Sequence, residues 1–258
     1  MSADTDDKQT MGTKKQSLVK RVLLIVIALM VAALVGTCVY MSIPMPADAT
    51  AKSAMDSTGA FSSDEVTVEK NNGKIVFAPK EPVAGFIFYP GARVDPEAYA
   101  PLMQCLASRG VLCVVCPMPF NFALMGVNAA DGVQEMYPQV RTWYIGGHSL
   151  GGVAASLYAK NHSDSFAGLV LLASRSTENL SNEPLKVLEI HGSNDEVIKA
   201  EAMEDAKSNV PQLEEVVIPG GNHAQMGSYG KQDGDGTATI SAEEQWNATA
   251  DIIVAWMK

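Results

Sequence analysis

Histidine is scarce in this chain of 258 residues: there are four, at positions 148, 162, 191 and 223, so chemistry that needs an imidazole has few candidates. Cysteine is equally rare. Cys38, Cys105, Cys113 and Cys116 are too few for a disulfide framework. Cys113-x-x-Cys116 lacks a second pair to complete a metal site, and on a strand its two side chains point to opposite faces. Buried small hydrophobes are expected there. Basic residues are also few, 19 against 29 acidic, for a net charge of -10. Five of the basic ones (Lys8, Lys14, Lys15, Lys20 and Arg21) precede residue 22, so the remainder is more acidic still, which argues against nucleic acid as a partner. No internal repeat is evident. Asp233-Gly234-Asp235-Gly236 lacks the further ligands and closing glutamate of a calcium loop and is expected as a surface turn. No cofactor or metal is implied.

Charge is missing altogether from residues 22–43. At about 1.5 Å rise per residue that run spans roughly 33 Å, enough for a bilayer core, and it is expected as a membrane-spanning helix. Lys14, Lys15, Lys20 and Arg21 on its amino-terminal side, against Lys52 alone on the other, place residues 1–21 in the cytoplasm and the rest outside. A cleaved signal is the rival reading, because Ala47-Asp48-Ala49 and Ala49-Thr50-Ala51 resemble cleavage sites; a signal's apolar region is, however, only about 7 to 15 residues long. Residues 44–63, rich in Ala, Ser, Asp, Thr and Pro, read as a linker.

Residues 64–258 carry the folded domain. Apolar runs near 66–68, 74–77, 84–89, 111–116, 143–147, 168–173, 185–191 and 214–218 read as strands, and 96–108, 129–136 and 242–257 as helices. Alternation of this kind predicts an α/β fold with a mostly parallel sheet covered on both faces. Ligands of such sheets bind at the carboxyl ends of the strands.

One segment stands out there. Gly147-His148-Ser149-Leu150-Gly151 lies between the apolar run Trp143-Tyr144-Ile145 and a small-residue helical run beginning at Gly152. Strand, sharp turn and helix in that order force the serine into a strained backbone conformation with its hydroxyl exposed, and the glycines remove side chains that would clash. Serine is a poor nucleophile alone and needs a base, itself oriented by a carboxylate. Of the four histidines, His148 should point away from the hydroxyl, His162 sits in a polar helix end, and His191 is only four residues before the expected acid. His223, in the loop after the strand at 214–218, is the expected base. Asp195, in the turn after the strand at 185–191, is the expected acid, with Glu178 as the other candidate. Glu196 would project elsewhere. Oxyanion donors are expected from the Leu150 N–H and from the loop Pro90-Gly91-Ala92-Arg93, where proline has no N–H and Ala92 is favoured over Gly91 and Arg93.

Gly146-Gly147-His148-Ser149-Leu150-Gly151-Gly152, the Phe88 to Pro96 loop, Gly192-Ser193-Asn194-Asp195 and Gly220-Gly221-Asn222-His223-Ala224-Gln225 together resemble the α/β-hydrolase superfamily, and more narrowly its compact, membrane-anchored bacterial members, similar in size to dienelactone hydrolases. The resemblance implies Ser149 as nucleophile, Asp195 as acid and His223 as base. Dienelactone hydrolases use a cysteine nucleophile, so their substrate is not carried over. Only about a dozen residues lie between the strands at 168–173 and 185–191, too few for a large cap. The segment from Pro117 to Met125 is expected either to roof an open pocket or to join the core. The expected activity is hydrolysis of an ester or related acyl bond of a small-molecule substrate through an acyl-enzyme. A non-catalytic surface module, or an acyltransferase or peptidase with the same triad, are the alternatives.

Overall fold

Side chains on successive strand residues point to opposite faces, and the apolar strand runs here are buried on both. In strand β3 (Ala84–Tyr89), Phe86 and Phe88 enter one apolar cluster while Ile87 and Tyr89 enter another. Strand β4 (Val111–Val115) divides Val111, Cys113 and Val115 from Leu112 and Val114 in the same way. Cys113 and Cys116 therefore fall on opposite faces as buried free thiols, with burial pushing Cys116 up to about 12. A sheet buried on both faces needs helices on both, and the computed structural model, which describes residues 3–56, 65–198 and 207–258, has them.

The sheet has eight strands: β1 (Val66–Asn71), β2 (Lys74–Pro79), β3, β4, β5 (Trp143–His148), β6 (Gly168–Leu172), β7 (Lys186–Gly192) and β8 (Leu213–Ile218). Their spatial order is β1-β2-β4-β3-β5-β6-β7-β8, with β1 and β2 antiparallel to their neighbours and every other pairing parallel. The chain runs from β3 outward to β4 and then returns to place β5 on the other side of β3. That reversal opens a crevice beyond the carboxyl ends of β3 and β5, where an open α/β sheet takes its ligands.

Helix α1 (Ala3–Ser42) contains a 22-residue apolar stretch, Val19–Tyr40, of mean hydropathy 3.0 and none of it buried. It is long and apolar enough to cross a membrane. Pro44 to Lys258 form a separate compact unit. Here the expectation of a linker over 44–63 meets a difference. Asp48 accepts the Ala51 N–H and caps a short helix, α2 (Ala49–Ala54), whose Ala51 and Ala54 are fully buried in the core cluster that includes α3 (Ala100–Ala107). Small side chains that look linker-like in composition are what let this segment nest closely. Residues 57–64 lie outside the described residues.

Helix α4 (Val133–Met136) and helix α5 (Leu150–Asn161), which follows β5 directly, complete the middle of the fold. Helix α6 (Ala242–Trp256) closes it. Its start is fixed by a capping box, Ser241 receiving the Glu244 N–H and Glu244 receiving the Ser241 N–H.

Candidate active site

Between β5 and α5 the chain reverses within one residue. Ser149 has φ 53° and ψ -124°, a conformation that costs an L-residue about 1–3 kcal/mol and persists only where its surroundings enforce it. They do so through the two glycines of the motif. A Cβ at Gly151 would lie 2.1 Å from the Tyr89 carbonyl oxygen, and one at Gly147 would lie 2.5 Å from the Gly151 backbone. The turn is thus wedged against the end of β3 with no room for a side chain. The Ser149 N–H donates to Leu172 O at 3.0 Å, and the Ser174 hydroxyl donates to Ser149 O at 2.6 Å. Ser174 carried no sequence signal, because its part depends on β6 ending beside β5.

His223 and Asp195 meet. Nδ1 of His223 lies 2.8 Å from Oδ2 of Asp195, and both side chains are almost wholly buried. The other carboxylate oxygen accepts the Val197 and Ile198 N–H groups at 2.9 and 3.2 Å, so the acid is aimed at the ring by its own turn. His223 Nε2 is buried with no hydrogen-bond partner among the described residues. Buried ring nitrogens usually have a partner, so one without calls for an incoming group.

The other histidines are accounted for. His148 is buried, its ring centroid 4.5 Å from that of His223, and its Nδ1 lies 2.8 Å from the Tyr99 hydroxyl. Burial, and secondarily the neighbouring His223, hold it well below the usual histidine value, so it is neutral. Tyr99 in turn accepts the Gly91 N–H at 2.9 Å, and burial pushes its phenol up. The sequence suggested that the His148 side chain points away from the serine hydroxyl; in the structure it bonds Tyr99 and packs on His223. Tyr99 gave no signal beforehand. The consequence concerns the oxyanion loop: with the Gly91 N–H taken by Tyr99, Ala92 and Leu150 are left with N–H groups that donate to no other group among the described residues. His162 bonds Tyr158 O and stacks on its ring, and His191 pairs with Glu189 at 2.9 Å. Glu178, the alternative acid, pairs with Lys160, and Glu196 is exposed.

One reading is corrected. Asp235 is not a plain surface turn residue: its carboxylate accepts the N–H of His223 at 3.3 Å, of Ala224 at 2.8 Å and of Gly236 at 2.9 Å. Asn222 and buried Gln245 complete the hold, Gln245 accepting the Asn222 N–H at 3.0 Å and donating to the Asn222 carbonyl at 2.8 Å. The segment from Pro117 to Met125 divides. Met118 and Ala123 join the core, while Phe120, Leu124 and Met125 are exposed beside the oxyanion loop, to which the segment is tied by the Arg93 N–H donating to Asn121 O at 2.7 Å. Among the described residues, Glu189, His191 and Glu215 alone form a group with metal-ligand spacing. Their charges are already matched within the protein, Glu189 with His191 and Glu215 with Lys207.

Comparison with known proteins agrees with this architecture. No curated protein matches the sequence. Among solved structures, a predicted CIB-like hydrolase from Thermoplasma acidophilum is similar at 15% identity, with a TM-score of 0.55 over 74% of this chain and 99% of that one. Est1E from Butyrivibrio proteoclasticus is similar at 16% identity and a TM-score of 0.54, over 74% and 98% of the two chains. Esterase 2 of Thermogutta terrifontis, solved as phosphonylated by cyclosarin, is similar at 15% identity and a TM-score of 0.53, over 79% and 97%. At such identities the likeness is one of fold. The model of the alpha/beta hydrolase family matches residues 85–247, a stretch that begins in β3, runs through the elbow and the Asp195–His223 pair, and ends in α6. The chain belongs to the alpha/beta hydrolase family.

Proposed function

We propose that the chain is a serine hydrolase of carboxylesterase type, acting through Ser149, His223 and Asp195. The observation that carries this is the buried 2.8 Å pair of His223 and Asp195, whose free Nε2 belongs to a ring packed on the residue next to the strained Ser149. His223 Nε2 takes the Ser149 proton as Oγ attacks the acyl carbon, and Asp195 stabilises the imidazolium that forms. Hydrogen bonds of this kind are often long before substrate binds and tighten in the complex. The oxyanion is received by the N–H groups of Leu150, at the positive end of α5, and of Ala92. His223 then returns its proton to the leaving alcohol, and water with His223 as base releases the acyl group. The substrate is a small or medium acyl ester, which suits a site without a cap and with Phe120, Leu124 and Met125 at its side.

Support comes from the similar esterases, one of which is phosphonylated by cyclosarin. The same chemistry supplies the test. The wild-type chain is expected to take up a fluorophosphonate probe and turn over a short p-nitrophenyl ester, and Ser149→Ala is expected to do neither. Turnover retained by that variant would overturn the assignment.

The reading extends to location: α1 is a retained anchor, with the N-terminus cytoplasmic and the hydrolase domain outside. Supporting retention, Ala47 is buried and Asp48 bonded within the domain, at the motif where a signal would be cut. Membrane fractionation followed by N-terminal sequencing checks this, and a mature chain starting near Thr50 would contradict it.

A further inference from the structure

Three residues after the apolar helix ends at Ser42, the chain begins a stretch that touches both loops holding the proposed reacting groups. The Met45 N–H donates to Arg93 O, and Met45 O accepts the Asp95 N–H at 3.0 Å, forming a parallel bridge to Val94 just beyond Ala92. Three residues later the Asp48 N–H donates to Ser228 O at 2.9 Å, and the Ser228 hydroxyl donates to Asp48 Oδ1 at 2.7 Å. Ser228 ends the short turn that starts at His223, with only Ala224–Met226 and Gly227 between. A single stretch of chain, about 10 Å long when extended, therefore links the loop bearing one oxyanion donor to the loop bearing the base.

The link is stiff and anchored. Pro44 and Pro46 fix φ on both sides of Met45. Ala47 is buried, and α2 beyond it is held by Gln104, itself buried, donating to Ala54 O at 3.0 Å. A cavity of about 380 Å³, lined among others by Asp48, Gln225, Ser228, Asp235 and Trp246, lies against the histidine loop. On that side the loop is held by hydrogen bonds, while Ala224 and Met226 pack into the core on the other, and reacting groups need placing to within about 0.5 Å.

We infer that residues 45–54 are a positioning strap of the active site, with Met45 and Asp48 as its positioning residues, rather than a passive connection to the apolar helix. The inference rests on the assignment of Ser149 and His223 made above. It has a corollary for processing. Cleavage after Ala49 or Ala51 would remove both ties and leave a folded hydrolase with a loosened site.

The test uses the full chain in detergent. Asp48→Ala removes the acceptor of the Ser228 hydroxyl, Asp48→Asn keeps an acceptor oxygen, and Met45→Pro removes the N–H that ties Arg93. Turnover of a short p-nitrophenyl ester is measured per active site, with sites counted by fluorophosphonate labelled to completion. Asp48→Ala and Met45→Pro are expected to lower kcat per labelled site by about five- to twentyfold with KM within about twofold, the size of one or two lost hydrogen bonds. Asp48→Asn is expected to stay within about twofold of wild type. The strap is overturned if kcat per site is unchanged in both, if activity falls only in step with the labelled fraction, or if Asn fails to rescue. Ser149→Ala in parallel separates the failures. If that variant stays active, the nucleophile assignment fails and the strap falls with it; if it is dead while the strap variants are normal, the strap alone is wrong.

Discussion

The elbow and the histidine loop meet where the rings of His148 and His223 pack together, and they are held by packing and by hydrogen bonds in different proportions. At the elbow, Ser149 is placed by backbone packed on backbone, where Gly147 and Gly151 admit no Cβ. At the histidine loop, Gly221 also packs closely on Gly192, but His223 and the residues beside it are held by side chains bonding to backbone, from Asp235 and Gln245. Packing of the first kind is all or nothing, since an interior at crystal-like density yields to an added methyl only by moving something. Hydrogen bonding of the second kind is graded, each bond contributing about 1 kcal/mol. One half of the site should therefore fail abruptly and the other by degrees.

The largest effect expected from this contrast is at the elbow. Gly151→Ala puts a methyl 2.1 Å from the Tyr89 carbonyl oxygen and 2.5 Å from that of Pro90, and neither backbone can withdraw without shifting β3. A loss of about 3 kcal/mol is expected, read as a lowered midpoint in chemical denaturation; a variant of wild-type stability would break the comparison. Next in size is Asp195→Asn, which keeps the shape of the turn but removes the charge proposed to stabilise the imidazolium, with an expected drop in kcat of about 10³- to 10⁴-fold and little change in melting temperature.

Asp235→Ala comes third and tests the graded side. It strips an acceptor from the His223, Ala224 and Gly236 N–H groups, and kcat should fall about 10- to 100-fold, with Asp235→Asn intermediate. An abrupt loss of folding in place of a graded loss of rate would show that the loop behaves like the elbow.

The smallest effect lies on β7, outside both regions. Bonding to Glu189 raises His191 above the ordinary 6.5, and burial raises Glu189 above 4.5. Each group then binds its proton more tightly folded than unfolded. The contribution of His191 is fully present below about pH 6.5 and is lost as pH rises through its raised folded value; Glu189 acts with the same sign in a lower window, from 4.5 up to its own raised value. Thermal melts between pH 5.5 and 8.5 are expected to drift downward with pH, and His191→Gln to flatten the drift while leaving kcat intact. A fall in kcat would mean that the acid-bearing strand cannot be separated from the site.

The two regions also differ in how legible they were. The elbow is written in five adjacent residues, because strand, turn and helix follow one another directly, and its glycines mark where backbones touch. That Asp195 and His223 both follow strands was legible in the sequence, whereas the 2.8 Å contact of their side chains is seen only in three dimensions. Asp235 was read as a surface turn because its partners lie 11 and 12 residues earlier, on a loop that doubles back only in three dimensions. Tyr99 and Ser174 escaped notice for the same reason, and so did the docking of residues 44–56, where alanine and serine give the composition of a spacer. The α/β architecture was legible from apolar runs alone, since a strand buried on both faces has no other way to be written.

The strained serine has a consequence for how such a chain changes over time. Glycine at position 149 would relax a φ of 53°, so the fold by itself favours losing the side chain proposed as nucleophile. Wherever a copy of this domain is released from the need to turn over substrate, stability pulls this one position toward glycine. On the role proposed for Ser149, Ser149→Gly is expected to lose turnover and to melt higher than the wild-type chain.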